Sequence, residues 1–153
     1  YVDVEGGKVW NSLPFRLLFT PRGNQSYLFN EEDYNLMGYH EFVTDRFVAS
    51  KLNLNLNYSP LSPFFPKLGI QTNIGAKVLY GPLSDKNNPD EHPSLTPFNG
   101  GVQPLGQAPY IEASIGFSNI LKIFRIDYVR RLSYLDDPST RKGSLFFGAG
   151  LAF

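Results

Sequence analysis

The last ten residues of the chain, 144–153, read SLFFGAGLAF and indicate the fold class. Apolar side chains stand at every second position, namely Leu145, Phe147, Ala149, Leu151 and Phe153. Most of the positions between them hold small residues. A period of two residues is the pattern of a β-strand, whose side chains point alternately to its two faces. The segment therefore predicts a strand with one apolar face and one face that suits a filled or watery interior.

Four segments further upstream repeat this alternation. They span residues 39–58, 70–80, 110–118 and 124–134. In the first of them, three leucines at 52, 54 and 56 alternate with Lys51 and with asparagines at 53, 55 and 57. A buried strand of a soluble protein does not place four long polar side chains on one face without partners, whereas a wet interior accepts them. The sequence thus predicts an all-β, antiparallel fold with five strands in residues 38–153.

Composition excludes several classes of protein. The 14 basic and 14 acidic residues give a formal net charge of zero, so we expect no nucleic-acid partner. The absence of cysteine removes thiolate metal sites and disulfides. No run of about 18 apolar residues occurs, so a membrane-spanning helix is excluded; a membrane-spanning strand needs only about 9 to 11 residues with one apolar face.

Motifs of catalysis and of metal binding are missing from the sequence. There is no G-x-S-x-G elbow, phosphate-binding glycine loop or H-E-x-x-H helix. The stretch 84–92 carries oxygen ligands but lacks the spacing of a calcium loop, so we interpret it as solvated. His40 and His92 are far apart and have no ligand cluster beside them. We expect neither an enzyme nor a cofactor or metal site.

The connections between the predicted strands alternate in length. We interpret residues 59–67 and 119–122 as turns, and residues 81–108 and 135–143, which are rich in Pro, Gly, Asn and Asp, as loops; 119–122 is the shortest of the four and 81–108 the longest. Outer-membrane barrels have short periplasmic turns and long external loops. The pattern therefore predicts an outer-membrane strand set with a periplasmic C-terminus, preceded by an external loop region at residues 1–37. Five strands do not close a barrel, so the others must come from a preceding part or another chain.

Several short stretches resemble a known family. They read GKVW (7–10), LPF (13–15), GNQSY (23–27), YNLM (34–37), EFVTDR (41–46), GAKVLYG (75–81) and FRIDYV (124–129). With the order of strands and loops, they are similar to Bacteroidota outer-membrane proteins that join a carboxypeptidase-regulatory-like domain to a barrel of unknown function, related to the BamA and TamA superfamily. The resemblance implies an outer-membrane location and a longer parent chain. It supplies no activity.

The same superfamily suggests a contact inside the barrel. There, an Arg-Gly pair in the external loop before the fifth-last strand folds inward and meets acidic side chains. The resemblance implies this role for Arg22, with Asp45, Glu112 and Asp127 as partners. Their odd or even position along the strand, which we call parity, turns all three side chains towards the interior. Asn24 stands where that motif has an aromatic residue. The alternative is a solvated Arg22.

Arg130 interrupts the apolar face, because parity places it towards lipid. An arginine near the bilayer midplane costs roughly 2 to 4 kcal/mol on the outside of a barrel. Three arrangements would avoid this cost: a bulge that turns the side chain inward, extension of the side chain to a lipid phosphate, or contact with a partner protein.

Three classes of function remain for an outer-membrane barrel. The first is a structural or assembly role, in which the C-terminal strand carries the insertion signal that the barrel-assembly machinery recognises. The second is an accessory subunit that binds other outer-membrane proteins. The third is a channel lined by Lys51, Lys77, Glu112 and Arg125. A soluble β-sandwich that binds carbohydrate is the alternative outside the membrane. For the three membrane classes, lipid is the main expected partner.

Overall fold

The computed structural model describes residues 1–98 and 100–149 as an all-β protein. Its strands are β1 (Val2–Lys8), β2 (Phe42–Val43), β3 (Arg46–Leu56), β4 (Gln71–Tyr80), β5 (Gln103–Pro104), β6 (Tyr110–Ile120), β7 (Phe124–Arg131) and β8 (Gly143–Ala149). Six of them form one antiparallel sheet in the order β1-β3-β4-β6-β7-β8, and β2 and β5 form a small parallel pair. The sheet is open, with β1 and β8 at its edges. No helix in the described ranges is long and apolar enough to cross a membrane.

The five predicted strands are present, and a sixth had not been predicted. β1 lies in residues 1–37, which were expected to be loop, and pairs along its whole length with β3. Its sequence, VDVEGGK, hides the alternation because Gly6 occupies the position where a third apolar side chain would follow Val2 and Val4. The prediction of loop was therefore wrong for this segment. Leu151 and Phe153, part of the predicted insertion signal, lie outside the described residues.

One face of the sheet is apolar and exposed. Its members point to the same side, because the register sets outward residues of neighbouring strands opposite one another. Their side chains are between 38% and 57% exposed: Val48, Leu54, Leu56, Ile74, Tyr80, Ile115, Phe124, Ile126, Tyr128, Leu145 and Phe147. We call this surface the apolar face. The predicted orientation of Leu145, Phe147 and Ala149 is confirmed, since all three are exposed beside the buried Phe146.

The opposite face of the sheet is polar and buried. Six polar side chains on it are at most 8% exposed: Lys51, Asn73, Lys77, Glu112, Asp127 and Arg131. Apolar residues on the same side contribute to two small cores, one around Tyr110 and Leu79 and one around Val129 and Phe146. Both cores include residues from the segment before β2, among them Met37 and Leu36. We call this side the polar face.

The two ends of the sheet differ. The turn between β6 and β7 is tight, and Asn119, Leu121 and Lys122 adopt positive φ there, which confirms the predicted hairpin. The Asn119 side chain donates to the carbonyl of Gly69 at 2.8 Å and so joins this turn to the one between β3 and β4. The two longest connections, between β1 and β3 and between β4 and β6, emerge at the other end. We call the end that carries the β6–β7 turn the short-turn end.

Candidate functional site

The polar face is covered by residues 22–41, which we call the docked segment. Asparagine side chains hold this segment in shape where regular secondary structure is missing. Asn24 Nδ2 donates to the carbonyl of Leu28 (2.7 Å) and to Asn35 Oδ1 (2.8 Å), and Asn35 Oδ1 also accepts the backbone N–H of Asn30 (3.0 Å). Asparagine amides can replace the backbone partners that a turn or strand would supply. These side-chain hydrogen bonds therefore hold the segment in its docked shape.

Glu112 is the central contact between the sheet and the docked segment. Its carboxylate accepts the backbone N–H groups of Asn35 (2.9 Å) and Leu36 (2.6 Å). It also accepts the Tyr110 hydroxyl at 2.6 Å. Glu112 is only 2% exposed, so these three donors replace the water molecules that would solvate the charge in an exposed carboxylate. The carboxylate therefore fixes the docked segment at one point of β6.

Lys77 supplies a second contact from the neighbouring strand. It lies beside Glu112 in the register of β4 and β6. Its ammonium donates to the carbonyls of Asn30 (2.7 Å) and Asp33 (2.5 Å). A buried carboxylate and a buried ammonium side by side leave no net charge on this part of the sheet. Together they bind both the N–H groups and the carbonyl groups of the docked segment.

Arg125 and Arg131 bind acidic side chains of the docked segment. Arg125 donates to Glu31 at 2.6 Å and to Asp127 on its own strand at 2.6 Å and 3.1 Å. Arg131 makes a two-point contact with Glu41 at 2.7 Å and 3.1 Å. The guanidinium of Arg131 also lies 4.7 Å from the centre of the Tyr110 ring. Planar two-point pairing of this kind fixes direction as well as distance.

The predicted contact inside the barrel had Arg22 as its cation, and the structure differs from that prediction. Asp45, Glu112 and Asp127 are buried, but Arg22 is exposed and makes no ion pair with any described residue. The cations come from the sheet instead, and the loop supplies carboxylates and backbone groups. Parity had placed Lys51, Lys77 and Arg125 on the interior side. The acidic residues that meet them lie where the chain has no alternation, so no sequence signal pointed to them.

Asp45 holds the long connection between β4 and β5. The Ser84 hydroxyl and backbone N–H donate to its carboxylate, and Asn87 Nδ2 donates to it at 2.7 Å. Asn87 Oδ1 in turn accepts the backbone N–H of Leu13 at 2.8 Å. Burial acts to raise the pKa of Asp45, but the hydrogen bonds from Ser84 and Asn87 outweigh it and hold the pKa below its usual range. The ionised carboxylate therefore stabilises this end of the molecule.

We expect Asp45→Asn to destabilise the protein by about 1 to 2 kcal/mol at pH 7, because one charged acceptor of several hydrogen bonds is lost. A lowered folded-state pKa means that the stabilisation is present above the unfolded pKa and lost as pH falls through the folded pKa. Urea unfolding at pH 7 and at about pH 2 should show the gap between the two proteins closing in acid. Asp90→Asn, on an exposed loop residue, is the control. A gap independent of pH would contradict the assignment.

The docked segment divides the space along the polar face. A cleft of about 390 Å³ opens at the end with the long connections, where Tyr39, Gln103 and Arg141 contribute to its wall. A second cleft of about 430 Å³ opens at the short-turn end beside Asn55 and Lys122. Between them, two spaces of about 10 Å³ each remain at the contact with the sheet, each no larger than a single water. At these two places the docked segment packs directly against the sheet.

Comparisons with known proteins add no relative: no family model, curated protein or solved structure matches the chain. Within residues 1–98 and 100–149, no three His, Cys, Asp or Glu side chains form a group that could hold a metal ion. The candidate site is thus a set of contacts that holds a loop on a sheet.

Proposed function

We propose that the chain is part of an outer-membrane β-barrel, in which the apolar face contacts lipid and the docked segment fills the interior. The single observation that carries this proposal is the exposed apolar face opposite a buried polar one. A one-sided sheet in water does the reverse and buries its apolar face. Lipid is the solvent in which this arrangement is favourable.

The extent of the apolar face supports the same proposal. It continues across β3, β4, β6, β7 and β8, and large apolar side chains expose 38% to 57% of their surface on it. Contiguous apolar patches beyond a few hundred Å² are rare on soluble monomers. A soluble β-sandwich would need a second sheet over this face, and among the described residues no second sheet covers it. These features favour a membrane protein over the carbohydrate-binding alternative.

Exposed aromatic side chains at the short-turn end mark one border of the apolar face, and the tight β6–β7 turn there gives the orientation. Tyr58 and Phe64 are exposed in the turn after β3, and Phe124 is exposed at the start of β7. Aromatic girdles of this kind border the apolar band of outer-membrane barrels, whose periplasmic turns are short. We therefore assign the short turns to the periplasm and the long connections to the cell exterior.

The proposed barrel needs more strands than these six. β1 and β8 present open edges, and unpaired backbone groups are costly in lipid. The β8 edge is met at one point by the docked segment, where Phe29 donates its N–H to the carbonyl of Phe147 (2.7 Å) and Phe147 donates to Tyr27 (2.8 Å). A preceding part of a longer chain, or another chain, would supply the remaining pairing.

A structural or assembly role fits the docked segment better than a role as an open channel. The residues predicted to line a channel, Lys77, Glu112 and Arg125, are bound to the docked segment. Two spaces of about 10 Å³ each beside Lys77 show how closely the segment lies on the sheet there.

The membrane assignment is tested by two adjacent labels on β3. Because the 153 residues contain no cysteine, Leu54→Cys and Asn55→Cys each provide a single thiol for a nitroxide. Both positions are exposed, but they point to opposite faces. In lipid vesicles, we expect the label at 54 to be relaxed by oxygen, which is enriched in lipid, and the label at 55 by a water-soluble nickel complex. Relaxation of both labels by the nickel complex would overturn the proposed function.

A further inference from the structure

Arg130 is the charged residue that the apolar face leaves without a partner. Lys8 and Arg46 share its side of the sheet but stand at strand ends. Its side chain is exposed, and no hydrogen bond or ion pair joins it to another described residue. Its neighbours across the sheet are Ala113 on β6 and Gly143 on β8. β7 keeps regular pairing there, so no bulge turns the arginine inward.

A second polar group lies next to Arg130 on the same face. The Tyr128 side chain leans over Gly143, and a Cβ on that glycine would stand 2.7 Å from the Tyr128 hydroxyl. Because Gly143 is directly opposite Arg130, the hydroxyl lies within reach of the arginine side chain. Any larger residue at position 143 would displace the Tyr128 hydroxyl. The hydroxyl has no hydrogen-bond partner among the described residues either.

The position along β7 suits a lipid head group. Arg130 is six residues beyond Phe124, or about 20 Å along the strand. With a strand tilt near 40°, the rise is about 15 Å within an apolar band about 25 Å tall. An arginine at this height can extend its guanidinium towards the external surface and keep its aliphatic stem in the apolar layer.

We propose that Arg130 and Tyr128 form a binding site for the phosphate of a membrane lipid. The guanidinium supplies paired N–H donors and the positive charge that a phosphate requires, and the hydroxyl supplies one further donor. Ala113 on one side leaves room for the head group, and Gly143 on the other leaves room for the Tyr128 side chain. This inference rests on the proposed membrane location.

Native mass spectrometry of the protein in non-ionic detergent tests the site. The probes are phosphatidic acid and diacylglycerol with the same acyl chains, which differ only in the phosphate. We expect phosphatidic acid to bind about tenfold more tightly than diacylglycerol. Arg130→Gln should abolish this preference, and Tyr128→Phe and Gly143→Ala should each reduce it a few-fold. Arg22→Gln, which removes an exposed arginine from a loop, should leave it unchanged.

The outcomes separate the possible errors. Equal binding of both lipids, or an unchanged preference in Arg130→Gln, would overturn the site while the labels at 54 and 55 still report a membrane protein. Displacement of phosphatidic acid by millimolar inorganic phosphate would show a site for free phosphate and overturn the lipid assignment. A water-exposed label at 54 would overturn the proposed function itself.

Discussion

Replacing Glu112 by Gln is expected to weaken docking of residues 22–41 by about 3 kcal/mol. The carboxylate accepts three donors, and two of them are backbone N–H groups that have no other way to be satisfied when buried. An amide keeps only one acceptor oxygen and turns its own N–H₂ group towards these donors. The shape of the side chain is retained, so the effect reports the charge and the hydrogen bonds.

Hydrogen exchange at the amides of Asn35 and Leu36 measures this effect directly. Local opening sets their exchange, so about 3 kcal/mol corresponds to a rise of roughly 100-fold in rate. Glu91→Gln, in an exposed loop, should leave both rates unchanged. If the amides of Asn35 and Leu36 exchanged at the native rate in Glu112→Gln, Glu112 would not be the contact that holds the segment.

Replacing Glu41 by Gln is expected to destabilise the protein by about 3 kcal/mol. Arg131 is 1% exposed, and without the Glu41 carboxylate its guanidinium would be a buried charge with only neutral acceptors, the Ser133 carbonyl at 3.0 Å and one amide oxygen at position 41. Breaking a buried ion pair from one side costs more than replacing both partners. The double variant Glu41→Gln/Arg131→Met should therefore recover part of the loss.

Equilibrium unfolding in urea compares these variants. Glu32→Gln is the matched control, because the Glu32 side chain is 71% exposed and meets Lys51 only at 3.6 Å. Exposed pairs of this kind contribute little, so no measurable change is expected. A double variant as unstable as Glu41→Gln alone would mean that the unpaired charge is not the cause.

The faces of the sheet could be predicted from sequence, because parity is a local property. Leu54 and Leu56 point one way and Lys51 the other whatever the strand pairs with. The ends of strands were less well predicted: residues 39–58 become β2 and β3, with Thr44 and Asp45 between them. β1 was missed because two of its seven residues are adjacent glycines, which show no pattern, and its pairing with β3 is what makes it a strand.

The contacts of the docked segment could not be predicted in the same way. Glu112 binds backbone N–H groups 76 and 77 residues away, and a backbone amide has no signature in sequence. The resemblance suggested Arg22 as the cation, yet the buried cations nearest the segment are Lys77 and Arg131. Their partners depend on which loop lies over the sheet, and that is a long-range property.

By itself, the sequence determined an all-β antiparallel chain and which side of each predicted strand is apolar, because a period of two is written residue by residue along a strand. Only the tertiary structure decided that residues 22–41 cover the polar side, and that loop carboxylates and backbone groups, rather than Arg22, satisfy its charges. The reason is physical: burial of a charge is tolerated only where partners converge, and these partners come from parts of the chain far apart in sequence.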